Sequence, residues 1–200
     1  MKKLNIALMA LALTLSVSCK ENKEDEMMDD NQMEMEDSTS MDSDSEGMMD
    51  SDRTEIAVPM ASKSGSNVTG VISFVQEGDE VKMIANLTGL TPGTHAIHLH
   101  ENGDCSADDA TSAGGHWNPK SNEHGDWDEG MHHMGDIGNL EANANGEVSY
   151  TFSTDKWCIG CEDDTKNIVG KGVIVHAAAD DFTSQPSGAA GARVACGVIE

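Results

Sequence analysis

Between residues 98 and 176, six of the chain's eight histidines and one aspartate are spaced as a ligand set, in the order His98-x-His100, His116-x7-His124-x8-His133-x2-Asp136 and then His176. Seven candidate ligands in so short a span are enough for two metal ions held side by side. His98 and His100 lie in the run Thr94-His95-Ala96-Ile97-His98-Leu99-His100, where residues two apart on a strand leave the same face together. Neutral imidazole suits copper and zinc alike, so a strand pair joined by distant histidines builds a nitrogen-only site of the kind that binds Cu(II). His116, His124, His133 and Asp136 match a closed tetrahedral zinc shell of three imidazoles and a carboxylate. The two remaining histidines read differently. His95 sits three residues before His98, on the opposite face of the strand, and is expected to be structural. His132, flanked by Met131 and His133, is expected to be a solvated loop residue, with copper entry as the other reading.

The motifs around these residues resemble those of the Cu,Zn superoxide dismutases. His98-Leu99-His100-Glu101-Asn102-Gly103-Asp104 is similar to the family's H-x-H-E-x-G-D, and Gly115-His116-Trp117-Asn118-Pro119 to its G-H-[FW]-N-P. His124-Gly125, His133-Met134-Gly135-Asp136-Ile137-Gly138-Asn139 and His176-Ala177-Ala178-Ala179-Asp180-Asp181 continue the pattern, as does the C-terminal run Gly191-Ala192-Arg193-Val194-Ala195-Cys196-Gly197-Val198-Ile199. The resemblance covers roughly residues 54 to 200 and implies an assignment for each position. His98, His100, His116 and His176 would hold copper, and His116, His124, His133 and Asp136 would hold zinc, with His116 bridging the two. Asp180 would accept hydrogen bonds from His98 and His124, fixing both rings. Arg193 would orient a small anionic substrate, superoxide, with planar donors that a lysine lacks. Arg193 and His116 would thus be the catalytic residues of a superoxide dismutase.

The N-terminus suggests where this chemistry happens. Lys2 and Lys3 precede an apolar run from Leu4 to Leu15, followed by Ser16-Val17-Ser18 and Cys19. This pattern reads as a cleaved secretory signal over residues 1–18, too short for a spanning helix. Cys19 stands where a bacterial lipoprotein would carry its lipid, although Ser16 replaces the usual leucine. The expected location is a membrane-anchored, exported lipoprotein facing the periplasm or the cell surface. Residues 20–53 hold fourteen Asp or Glu, three Lys or Arg and seven Met, with no aromatic residue. A chain of that composition cannot bury enough surface to fold, so 19–53 is read as a lipid-anchored, disordered acidic tether. Its thioethers are soft ligands that suit Cu(I), which raises copper gathering as an alternative to a plain spacer.

Five cysteines are an odd number for an exported protein, and a lipid on Cys19 would leave four. The resemblance pairs Cys105 with Cys196. Cys158-Ile159-Gly160-Cys161 lies outside the general family pattern; a second, local disulfide is the first reading in an oxidising compartment, and a redox or metal-binding C-x-x-C the other.

Residues 54–200 are long enough for a single domain. Strand-like runs at Val68 to Gln76, Val81 to Leu87, Val148 to Phe152, Gly172 to His176 and Arg193 to Ile199 alternate with turns, and Asn145-Gly146 is a hairpin signal. With no long pattern of period 3.6, the expected fold is all-β, and the family resemblance makes it a Greek-key sandwich or barrel with metals on two long loops. The 22 acidic and seven basic side chains of this region make nucleic acid an unsuitable partner. The same acidity opposes an anionic substrate, and no Lys or Arg lies between His176 and Arg193. Two rival functions frame the enzyme reading. A copper carrier or buffer would have no need of Arg193, and a zinc hydrolase would need an open zinc position that the full ligand set denies.

Overall fold

The computed structural model describes residues 53–200. Eight strands run β1 (Arg53–Ser62), β2 (Thr69–Glu77), β3 (Glu80–Thr88), β4 (Gly93–His100), β5 (Asp136–Ala142), β6 (Val148–Thr154), β7 (Gly172–His176) and β8 (Arg193–Val198). The only helical element among the described residues is a 3-10 turn at Thr111–Ala113. The signal peptide, the lipid-bearing Cys19 and residues 20–52 of the tether lie outside the described residues. Strand β1 begins at Arg53, which the sequence reading gave to the tether. Strands β1 and β5 carry polar residues among their apolar ones, so no local run marks them in the sequence.

The sheet order β5-β4-β7-β8-β1-β2-β3-β6 is antiparallel throughout. The neighbours are not sequence neighbours at β4–β7, β8–β1 and β3–β6, which is the signature of Greek-key connections. The C-terminal end of β1 joins the two halves by pairing Ala61 with Cys196 and Ser62 with Ala195. Inward side chains such as Val58, Ile72, Phe74, Met83, Ile97, Leu99, Leu140, Val173 and Val175 fill the interior. Trp157 closes it, fully buried, with its indole Nε1–H donated to the carbonyl of Met134 at 2.9 Å.

The Asn145-Gly146 signal does make a tight turn, with Gly146 N–H donating to the Asn143 carbonyl at 2.9 Å. No hairpin follows, because β5 pairs with β4 and β6 with β3. The turn instead connects the two edge strands of the eight-stranded sheet. A local turn signal fixes the chain reversal but not which strands then share hydrogen bonds.

Two disulfides are present among the described residues. Cys105 and Cys196 are bonded across 91 residues, with Cα atoms 5.8 Å apart, tying the loop after β4 to β8. Cys158 and Cys161 are bonded within one turn. That turn is also held by Asn167, which accepts from the Gly160 N–H at 3.0 Å and donates to the Cys161 carbonyl at 3.0 Å.

Candidate metal centre

Strand β4 is buried on both faces. Ile97 and Leu99 enter the core, while His98 and His100, each almost wholly buried, leave the other face together. What covers them is the long segment between β4 and β5. It returns along the strand end so that Trp117 N–H donates to the Leu99 carbonyl at 2.8 Å and Glu101 N–H to Gly115 at 3.0 Å. Gly135 lies so close that a Cβ there would strike the carbonyl oxygen of Leu99, and this close approach is what allows Leu99 N–H to donate to Gly135 at 2.9 Å.

Two bulges aim the remaining side chains. In the β4–β5 ladder Ile97 faces Gly138 but His98 faces Asp136, so Ile137 is the extra residue. In the β7–β8 ladder Val175 faces Ala195 but His176 faces Arg193, so Val194 is extra. Each bulge sits beside a histidine and sets a candidate site residue, Asp136 or Arg193, across from it.

The result is two adjoining clusters, His98, His100, His116 and His176 in one and His116, His124, His133 and Asp136 in the other, every residue buried. Within each cluster one ligand atom per residue lies within 4.8 Å of all the others. In the first, His98 Nδ1 and the Nε2 atoms of His100, His116 and His176 are buried with no hydrogen-bond partner. Four orphaned ring nitrogens converging on one point are costly unless something accepts their lone pairs. Their opposite nitrogens are engaged. His98 Nε2 donates to Asp180 Oδ2 at 2.7 Å, His100 Nδ1 to the Gly114 carbonyl at 3.0 Å and His176 Nδ1 to the Gly191 carbonyl at 3.3 Å. A carbonyl can only accept, so the proton of His100 and of His176 is on Nδ1 and the lone pair on Nε2 points inward. The donor set and tautomers fit a copper ion.

In the second cluster Asp136 is the hub. Its Oδ1 is 2.8 Å from His116 Nδ1 and 3.1 Å from His133 Nδ1. Oδ2 lies 3.0 Å from His124 Nδ1, which makes no hydrogen bond there. The carboxylate is held in place by N–H donors from His133 at 2.8 Å and Gly125 at 3.2 Å. This set fits zinc. Asp180 spans the clusters, accepting from His124 Nε2 at 2.9 Å on the oxygen not used by His98. A Cβ at Gly188 would collide with that carboxylate.

Burial pushes His98 below its ordinary value, and takes His100 down to about 2, His176 to about 3 and His116 to about 4, with the neighbouring rings adding to the effect. These imidazoles are neutral and ready to bind metal at neutral pH. Burial also opposes charge on His124, but its contacts with Asp136 and Asp180 outweigh that and raise it to about 9. Burial raises Asp136 and Asp180 as well, and again the histidine hydrogen bonds prevail, keeping both well below the usual carboxylate range.

Arg193 is half-buried and donates to the carbonyls of Ala110 and Gly114, each at 2.7 Å. It lines an open cavity of about 340 Å³ together with His100, His116, His176, Asn118, Pro186 and Ser187. The Gly114 carbonyl therefore accepts from both Arg193 and His100. Among the described residues, Arg193 is the only Lys, Arg, Asp or Glu to line this cavity.

His95 is buried with Nδ1 donating to the His176 carbonyl at 2.8 Å, a structural histidine outside both clusters. His132 differs from the sequence reading. It is 8% exposed, its ring lies 4.5 Å from that of Trp127, Lys156 Nζ is 3.2 Å from its Nε2, and Nδ1 donates to the His133 carbonyl at 2.7 Å. Folding of the loop onto Trp127 buries a residue expected in solvent. Gln185, unremarked in the sequence, contacts His124 at two points; no motif marks it.

Residues 68–199 match the family model for copper/zinc superoxide dismutase (SODC). An extracellular superoxide dismutase [Cu-Zn] of Haemonchus contortus is 37% identical over 147 residues, covering 70% of this chain and 78% of the relative. A superoxide dismutase [Cu-Zn] of Onchocerca volvulus is also 37% identical over 147 residues, covering 68% and 90%. A crystal structure of a double mutant of a SOD-like protein from Bacillus subtilis matches with a TM-score of 0.65 and 35% identity, covering 72% of this chain and 95% of that one. The fold and the paired clusters define a metal-dependent all-β protein of the Greek-key class. The chain belongs to the copper/zinc superoxide dismutase family.

Proposed function

We propose that His98, His100, His116 and His176 hold copper, that His116, His124, His133 and Asp136 hold zinc, and that the pair serves dismutation of superoxide to oxygen and hydrogen peroxide. The observation that carries this is the set of four orphaned, buried nitrogens, three of them on residues that line one cavity with Arg193. When bound, copper supplies one-electron chemistry, oxidising one superoxide and reducing the next, while redox-inert zinc holds the site's shape.

The protein's own groups do the rest. Arg193, fixed by two carbonyls, keeps its remaining guanidinium donors for the substrate anion. His116 leaves Nε2 unpaired while its Nδ1 faces Asp136 of the zinc cluster at 2.8 Å. Nε2 can therefore hold a proton and give it to the reduced oxygen, the ring staying in place through its other nitrogen. Two superoxide anions and two protons are consumed for each oxygen and each hydrogen peroxide formed. Asp180 holds His98 and His124 in register. The copper-carrier reading leaves Arg193's position unexplained. The test compares metal-loaded wild type with Arg193→Ala and His116→Ala. Arg193→Ala should retain both metals and lose on the order of tenfold or more in rate, the loss of a charge-assisted, oriented contact. Full metal content without turnover in wild type would return the protein to the carrier reading.

The same reading assigns residues 1–18 to a signal peptide, Cys19 to lipidation and residues 19–53 to a tether for the domain at 54–200. It is supported by the sequence of the N-terminus and by relatives whose names call them extracellular. The intact mass of the membrane-extracted protein checks it: a chain starting at Cys19 with acyl groups attached is expected, and an unmodified N-terminus rejects the anchor.

A further inference from the structure

His124 is carried on a segment without regular structure. The nearest strand upstream ends at His100 and the nearest downstream begins at Asp136. Its ring is fixed from both sides, with Nδ1 in the zinc cluster and Nε2 on Asp180. Its backbone has no strand partner. The His124 N–H donates to Gln185 Oε1 at 2.9 Å, and its carbonyl accepts from Gln185 Nε2 at 2.9 Å. One side-chain amide thus presents the donor and acceptor that a neighbouring strand would present to a residue in a ladder. Gln185 is otherwise exposed, and both hydrogen bonds of its side chain go to this one residue. Nothing else in the fold calls for an amide there.

We propose that Gln185 is a positioning residue for the zinc shell, setting the backbone of His124 so that Nδ1 meets the metal while Asp180 sets its ring. Ring and backbone of one ligand are then both held by the segment between β7 and β8. Neither contact alone suffices, because a ring pinned at Nε2 can still swing with an untethered backbone. This rests on the zinc assignment made above.

The test uses the copper- and zinc-loaded protein with Gln185→Met, which keeps the length of the side chain and removes both hydrogen bonds. Ser184→Ala is the control, since it removes a contact to Asp181 in the same segment without touching His124. Zinc release into a chromogenic chelator should quicken about 10- to 100-fold in Gln185→Met, the usual cost of losing a group that orients a ligand, and stay at the wild-type rate in Ser184→Ala. Cobalt(II) in place of zinc gives a visible spectrum that reports ligand geometry, and its bands should shift in Gln185→Met alone. Equal release rates in all three proteins, or equal acceleration in both variants with unchanged cobalt bands, would overturn the proposal. If wild type itself fails to take cobalt at this cluster, the zinc assignment falls instead.

Discussion

Each histidine of the two clusters is defined by what its second nitrogen touches. His100 and His176 give protons to carbonyls, His98 to a carboxylate, and the lone pairs left over converge. This has a pH consequence for the metal-free protein. His98, His100, His116 and His176 have folded values below the unfolded 6.5. Their contribution to stability is therefore complete above pH 6.5 and is lost as pH falls toward about 4, 3 and 2, because the unfolded chain takes up protons that the folded one refuses. His124 has the opposite sign: raised to about 9, it contributes fully below pH 6.5 and loses that contribution as pH rises through 9. Urea midpoints of the metal-free protein should drop between pH 6.5 and 4, and a flat profile there would contradict burial of neutral rings. On the proposed zinc assignment, binding also displaces the extra proton of His124. Calorimetry at pH 7 in buffers of different ionisation enthalpy should register about one proton released per zinc bound.

At the scale of elements, the site depends on strands meeting loops at fixed registers. The bulges at Ile137 and Val194 place Asp136 opposite His98 and Arg193 opposite His176. Arg193 is held in turn by carbonyls of the loop at Ala110 and Gly114, and the Cys105–Cys196 bond ties that loop to β8. Closing a loop of this length contributes about 4 to 5 kcal/mol by the chain-entropy model, an upper figure. Replacing both cysteines by serine should therefore lower the thermal midpoint strongly and also reduce turnover with metals still bound, since Arg193 loses its carbonyl seats. A variant that is destabilised yet fully active at low temperature would show that the loop finds its place unaided. Removal of the Cys158–Cys161 bond should matter less, because Asn167 already pins that turn.

For the whole molecule the dominant quantity is charge. Residues 54–200 carry 22 acidic and seven basic side chains, minus 15 by subtraction, while the substrate is an anion. Among the described residues, no lysine lines the cavity that holds Arg193. On the proposed reading, steering comes from the local field of Arg193 and the bound metals, against long-range repulsion that salt screens over about 10 Å at 0.1 M. The dismutation rate should accordingly be flat or rise slightly with ionic strength. A steep fall would mean that long-range attraction dominates and that basic groups outside the cavity shape the field.

The kinds and spacings of the ligands, the strand that presents His98 and His100, and the all-β class were legible in the sequence because each is a local pattern. Alternation on β4 follows from the two-residue period, and metal preference follows from ligand chemistry. Local pattern did not reach further than neighbours along the chain. It took Asn145-Gly146 for a hairpin, although the strands on either side pair elsewhere. It left His132 in solvent, although Trp127 and Lys156 cover it. It gave no weight to Gln185, 61 residues from the His124 backbone it holds. Register, bulges and covering loops depend on contacts between segments far apart in the chain, so only the tertiary structure decides them. Sequence supplied the candidate ligands; the folded sheet decided where each one points.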